Sequence, residues 1–195
     1  MTLLKEITTS YQLEAVWPTP SVAVREDVIN FWLAESALPN RPAAQERAHQ
    51  LLVVARDFEG QVAGVSTAVR TFVSQLGFEC FYYRTFIGRA HRGHGLRTTR
   101  LFWKILLESY RFLNERFRHG CDPDVLGLYA EIENRSIMRN RSDLVWHDCG
   151  MNAVYIGRTP IGRHIRVWYF DDTRIPRNSN DVDRKRRRAP AGTIK

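Results

Sequence analysis

Between residues 51 and 118 the chain changes its hydrophobic period once, and that change constrains the fold more than any other feature. Leu51–Arg56 is a continuous apolar run of strand length, Val62–Val73 is rich in β-branched residues, and Glu79–Ile87 is a third run of strand type. Asp57-Phe58-Glu59-Gly60 and Gly77 separate them with turn chemistry. Connections this short join antiparallel neighbours, so the three runs predict a meander. A Gly-rich turn, His91–Gly95, follows, and the period then becomes helical. Leu96–Arg118 carries Phe102, Ile105, Leu106, Phe112, Leu113 and Phe117 on one stripe, and Gly120 and Pro123 stop it.

The flanks complete the expectation. Tyr11–Trp17 has weak strand character. Val22–Ala37 predicts a helix with Val24, Val28, Phe31, Trp32 and Glu35 on one side, and Pro42 opens a second short one through Gln50. After the long helix, Val125–Ile132 predicts a buried strand, Asn134–Trp146 a helix, and Ala153–Arg158 with Ile165–Phe170 two closing strands. The fold class is α/β: a mixed, mostly antiparallel sheet of six or seven strands with helices on both faces. Residues 1–170 form one domain, and 171–195 form a basic tail.

Composition excludes several alternatives. Hydrophobic residues are 44% of the chain, enough for a sizeable core. No apolar run approaches the roughly 18 residues that span a bilayer, so no membrane association is expected. Cys80, Cys121 and Cys149 are odd in number and far apart, which indicates neither a disulfide framework nor a structural zinc site. The N-terminus lacks signal-peptide character, so the expected compartment is the cytoplasm. The net charge is +8, and half of the excess lies beyond Phe170, mostly in Arg184, Lys185, Arg186, Arg187 and Arg188. That cluster suits a nucleic acid or another acidic partner, and equally a solvated terminus.

The sharpest local signal is Gly88-Arg89-Ala90-His91-Arg92-Gly93-His94-Gly95-Leu96-Arg97, between a strand and a long helix. Helix-start N–H groups and glycines suit backbone binding of a pyrophosphate, and a plain tight turn is the alternative. No Gly-Lys-Ser/Thr follows, and the preceding strand belongs to a meander, so neither a Walker loop nor a dinucleotide fingerprint is present. The strand, the run Arg92-Gly93-His94-Gly95-Leu96-Arg97 and the helix resemble the acyl-CoA site of the GCN5-related N-acetyltransferases (GNAT), whose pattern is Arg/Gln-x-x-Gly-x-Gly/Ala. Arg92 and Gly95 match it, and Arg97 departs from it. Asp57–Gly64, Glu133-Asn134 and Gly150-Met151 extend the resemblance over Leu51–Phe170.

The resemblance implies two parallel strands, Glu79–Ile87 and Val125–Ile132, that splay to admit the pantetheine arm of acetyl-CoA. Thr85, Phe86 and Ile87 would then be the arm's backbone partners. Arg92, Gly93, His94, Gly95, Leu96, Arg97 and Thr98 would hold the pyrophosphate. Asn134 would bond the cofactor from the other side, or else simply cap a helix. The implied activity is acetyl transfer to a primary amine on an acceptor that is either a small molecule or a macromolecule. A homodimer is compatible with it. A nucleic-acid-binding module and a non-catalytic acyl-CoA sensor are the alternatives on the same fold.

An amine attacks a thioester only when uncharged, so a general base is needed. Glu79 is the first candidate. It lies thirteen residues before Arg92, the offset of the catalytic Glu in the histone-acetyltransferase branch of that family. Glu131, one strand over, is the second. The usual acid position, four residues before Gly150, holds Trp146, which cannot donate usefully. Tyr155, His147 and Tyr83 do not match it, so no acid is assigned. His91 and His94 lack a third metal ligand nearby, and no metal is expected. Gly95→Asp should abolish acetyl-CoA binding through bulk and like-charge repulsion. Calorimetry checks this, and unchanged affinity would remove the loop from the site.

Overall fold

The computed structural model describes residues 11–93, 100–148 and 150–174. Residues 94–98 of the Gly-rich turn, Cys149 and the Arg184–Arg188 cluster lie outside the described residues.

The meander forms as expected, with β2 at Leu51–Arg56, β3 at Val62–Val73 and β4 at Phe78–Ile87, after a short β1 at Gln12–Ala15. Helices α1 (Val22–Ala34) and α2 (Arg41–Ala48) precede β2. Each has a polar side chain at its start. Ser21 Oγ accepts from Val24 N at 3.2 Å, and Asn40 Oδ1 accepts from Ala43 N at 3.0 Å. Helix α3 spans Leu101–Arg118. Arg100 is extended (φ −63°, ψ 134°) and caps it, so α3 starts later than the periodicity from Leu96 suggests.

The order downstream of α3 is β5 (Val125–Ile132), α4 (Arg135–Asn140), β6 (Val145–Asp148), β7 (Met151–Arg158) and β8 (His164–Tyr169). The helix expected over Asn134–Trp146 is therefore two elements. The helix stops after six residues, and Trp146 belongs to a strand paired with β7 through Ala153. Periodicity missed this because a buried arginine from a distant strand fixes the main chain just before Trp146 against β7. Arg166 Nη2 donates to Asp143 O at 2.6 Å, and its Nη1 lies 3.3 Å from Leu144 O and 3.2 Å from Ala153 O.

Among the described residues the strands form one eight-stranded sheet, ordered β1-β2-β3-β4-β5-β8-β7-β6. The short β1 falls within the weak strand character of Tyr11–Trp17, and the edge strand β6 carries the sheet past the six or seven expected. All pairings are antiparallel except β4 with β5. α3 covers one face, where Ile105, Leu106 and Leu113 meet Phe81, Leu128 and Trp168. α1 and α2 cover part of the other, packing Val28, Trp32 and Ala48 on Leu51, Val54 and Val65. Each such side chain contributes about 1.5–3 kcal/mol when fully buried. α3 is also tied to the end of β8: Asn114 Nδ2 donates to Asp171 Oδ2 at 2.7 Å, and Asp171 N to Asn114 Oδ1 at 2.8 Å.

The pairing of β4 with β5 is short. Its rungs are Glu79–Val125, Phe81–Leu128 and Tyr82–Tyr129, and none follows. Two residue steps on β4 face three on β5, a bulge that includes Gly127. A Cβ at Gly127 would lie 2.4 Å from Trp168 O on β8, a backbone atom that cannot step aside. Gly127→Ala should therefore destabilise the protein by about 1–3 kcal/mol, as overpacking does. Chemical denaturation measures this, and an unchanged midpoint would show that β8 can withdraw freely.

Candidate acyl-donor and acceptor site

Beyond Tyr82 and Tyr129 the facing edges of β4 and β5 are unpaired with each other, although both strands run on. β4 stays bonded to β3 as far as Ile87–Gly64, and β5 to β8 as far as Ile132–His164. Each strand is held from outside while the inner edges part. Thr85, Phe86 and Ile87 all lie past the last rung, on one bank of this gap, with Glu131 on the other. Backbone N–H and C=O groups need partners, so two open facing edges suit an extended ligand with its own amides.

The turn leaving β4 is described only to Gly93. Gly88 N donates to Ala63 O at 2.9 Å, and residues Arg89–His91 make one 3₁₀ turn. Arg92 folds back on the strand end, with Nε donating to Ile87 O at 2.8 Å and the guanidinium 5.1 Å from the Phe86 ring centre. Gly93 is left-handed (φ +77°), a conformation glycine adopts without strain. His91 is anchored to β1's approach, its Nδ1 lying 3.1 Å from the Tyr11 hydroxyl.

Strand alternation sorts the side chains. Phe81 and Tyr83 point under α3, while Tyr82, Arg84 and Phe86 share the opposite face with Tyr129 and Glu131. The Tyr82 and Tyr129 rings stand 5.3 Å apart at the vertex, and the Arg84 guanidinium lies 4.0 Å from the Tyr82 ring centre. Tyr129 OH is 3.5 Å from Glu131 Oε1. Burial first, then Glu131, pushes the Tyr129 phenol up to about 12. Arg163 Nη1 lies 3.5 Å from Glu131 Oε2 and 2.7 Å from Glu133 Oε1.

The two candidate bases sit differently. Glu79 lies on the first rung, at the closed end of the parallel pair, and Arg70 holds it through Nε at 3.1 Å and through Nη2. Glu131 lies beyond the last rung, its side chain 23% exposed against 37% for Glu79. Asn134 caps α4: its Oδ1 accepts from Ser136 N at 2.9 Å and Ile137 N at 3.2 Å, which commits that oxygen to the helix.

No protein-family model matches the chain, and no curated protein does. Solved structures do resemble it. AtaT complexed with acetyl-methionyl-tRNAfMet is 11% identical, with 82% of this chain and 95% of that one covered and a TM-score of 0.49. An acetyltransferase of the GNAT family from Streptococcus pneumoniae is 9% identical, covering 82% and 97%, at 0.42. A mutant AtaT toxin bound to the C-terminus of the antitoxin AtaR and acetyl-CoA is 15% identical, covering 82% and 93%, at 0.46. GNAT-family acetyltransferases are thus among the structures this chain resembles. Likeness at this level says nothing about activity, which has to be argued from the residues.

Sequence reasoning missed Arg84, Arg47 and Arg166. Alternation along Phe81-Tyr82-Tyr83-Arg84 carried the signal for Arg84, since it puts that residue beside Tyr82. Nothing local marked Arg166, which is fully buried on the α3 side with its guanidinium 3.6 Å from the Trp146 ring centre. Trp146 Nε1 donates to Arg141 O at 3.3 Å, so the residue at the usual acid position is part of the packing. Of the residues weighed as acids, His147 lies beside Asn152 and Tyr155 packs on His164. Tyr83 is buried, and burial pushes its phenol up to about 12.

That shift has a definite sign. The folded state keeps Tyr83 neutral, while the unfolded chain ionises it at the ordinary 10.0. Its contribution to stability is full below pH 10 and is lost as pH rises towards 12. Tyr83→Phe should flatten the fall in unfolding free energy over that window. Equal slopes for the two proteins in denaturant titrations would show that the phenol is not enclosed.

Proposed function

We propose that the protein is an acyl-CoA-dependent N-acetyltransferase that moves an acetyl group from acetyl-CoA to a primary amine. The observation that carries the proposal is the parting of β4 and β5 after Tyr82 and Tyr129 while their outer edges stay bonded. The pantetheine arm, an extended chain with two amides, matches that gap as a short strand would. On this reading its polar atoms meet the backbone of Thr85, Phe86 and Ile87. The pyrophosphate belongs at Arg92, Gly93, His94, Gly95, Leu96, Arg97 and Thr98, and the left-handed Gly93 supports a turn open to close approach there.

In this proposal the thioester carbonyl lies near the vertex, where the amine reaches it from the Tyr82–Tyr129 face. Glu131 accepts the ammonium proton, directly or through one water, and the freed nitrogen lone pair attacks the carbonyl carbon. The tetrahedral intermediate then collapses: the C–S bond breaks, and the second nitrogen proton passes to the departing thiolate, directly or through solvent, to give the amide and free thiol. Glu131 is preferred to Glu79 because it stands past the last rung, beside the gap, whereas Glu79 stands on the first rung at the closed end. The donor Tyr129 and the cation Arg163 hold its carboxylate in place.

Acetyl-CoA should raise the unfolding temperature by mass action, whereas an equal concentration of adenosine should not. Glu131→Gln should lower turnover by roughly 10²–10⁴ with little change in KM for acetyl-CoA, and the loss should shrink at high pH, where more of the amine arrives neutral. Thiol release on an amine panel measures both. A large loss for Glu79→Gln with a small one for Glu131→Gln would move the base to the closed end and overturn the assignment.

A further inference from the structure

Two half-buried arginines on the Tyr82–Tyr129 face form no ion pair among the described residues. Arg84 stands on β4 two residues past the vertex, with its guanidinium over the Tyr82 ring. Arg47 stands in the last turn of α2, and the main chain brings that turn to the same place. Gln50 O accepts from Ala68 N at 2.8 Å and Leu51 pairs with Thr67, while Thr67 is the β3 partner of Arg84. Burial, and then the charge of Arg84, lowers the proton affinity of Arg47 below that of an ordinary arginine. Tyr82 and Glu46 offset only part of this. Two like charges held near each other cost free energy, and an incoming anion would lower that cost.

The surroundings handle their charges differently. Arg41 pairs with Glu26, Arg56 with Asp27, and Arg163 with Glu131 and Glu133. Among the described residues no carboxylate comes within ion-pair distance of Arg47 or Arg84. Gln50 Oε1, at the end of α2, is also buried without a hydrogen-bond partner. The face is therefore asymmetric about the gap. One bank carries Glu131 and Glu133 around the single cation Arg163, and the other carries two guanidiniums, with two aromatic rings between them.

We infer that Arg47 and Arg84 form an anion subsite for the acceptor, so that the amine acetylated here also carries a carboxylate or a phosphate. The inference rests on the acetyltransferase reading and names the acceptor class for that same site. The ammonium end faces Glu131, the acid end faces the guanidiniums, and the Tyr82 and Tyr129 rings flank the carbon skeleton. Guanidinium groups bind both oxyanions through paired N–H donors. Swapping the banks would set the ammonium against two arginines, so one orientation is favoured.

The test is a matched panel with acetyl-CoA as donor: tyrosine against tyramine and alanine against ethylamine for the carboxylate, phosphoethanolamine against ethanolamine for the phosphate. A hydrogen bond to a charged group is worth about 1.5–3 kcal/mol, so the acid-bearing member of at least one pair should be favoured roughly tenfold or more in kcat/KM. The pair showing the preference tells carboxylate from phosphate. Arg84→Gln and Arg47→Gln should each shrink that ratio towards one, mainly through KM for the acceptor, and Arg84→Lys should restore part of it. Retained thermal stabilisation by acetyl-CoA shows that each variant is folded. Equal use of acid-bearing and neutral amines, or no turnover of any acid-bearing amine by a protein that binds acetyl-CoA, overturns the inference and leaves the donor site standing. Failure of the parent protein to bind acetyl-CoA overturns both.

Discussion

Two parallel strands that pair for three rungs and then part govern the rest of the site. β4 and β5 are each bonded along the outer edge, to β3 and β8, so neither is free to close the gap by swinging inward. The bulge beside the rungs starts the divergence, because an extra residue on one strand increases local twist. Gly127 makes that bulge possible by letting β5 approach the main chain of β8 at a distance no side chain allows. The gap is therefore a built feature of the sheet.

Packing holds the banks apart. α3 lies under the vertex, with Ile105, Leu106 and Leu113 against the inward face of β4 and β5. Gly64 lets it come close, since a Cβ there would meet the Ile87 and Ile105 methyl groups at 2.8 and 2.9 Å. On the far side of β5, Arg166 takes the place a hydrophobic side chain would normally hold. It ties the 143–144 segment to β7 through three carbonyls and stacks on Trp146. Burying a guanidinium is costly, and these bonds together with the aromatic face offset part of that cost. The result is a firm second bank beneath Glu131.

Much of this was legible in local pattern. The meander, the long amphipathic helix and β5 were readable because alternation and the 3.6-residue stripe are strong signals over eight or more residues. Thr85, Phe86 and Ile87 were placed at the splay by the family resemblance, and they lie past the last rung. The 134–146 segment was misread because its fate depends on Arg166, twenty residues downstream and invisible to any local window. The choice between Glu79 and Glu131 was equally out of reach. Both sit on strands that face the site, and only the register shows that one lies before the vertex and the other beyond it.

The sequence by itself determined most of the elements, their order, the Gly-rich turn after β4 and the class of fold, because period and turn chemistry are local properties of the chain. The tertiary structure alone decided where the parallel strands part, which carboxylate stands at the gap, and that Arg47 and Arg84 meet on one face. Those outcomes depend on which strand edges are already occupied and on how closely two backbones can pass. Both are relations between distant segments, and no single stretch of sequence carries them.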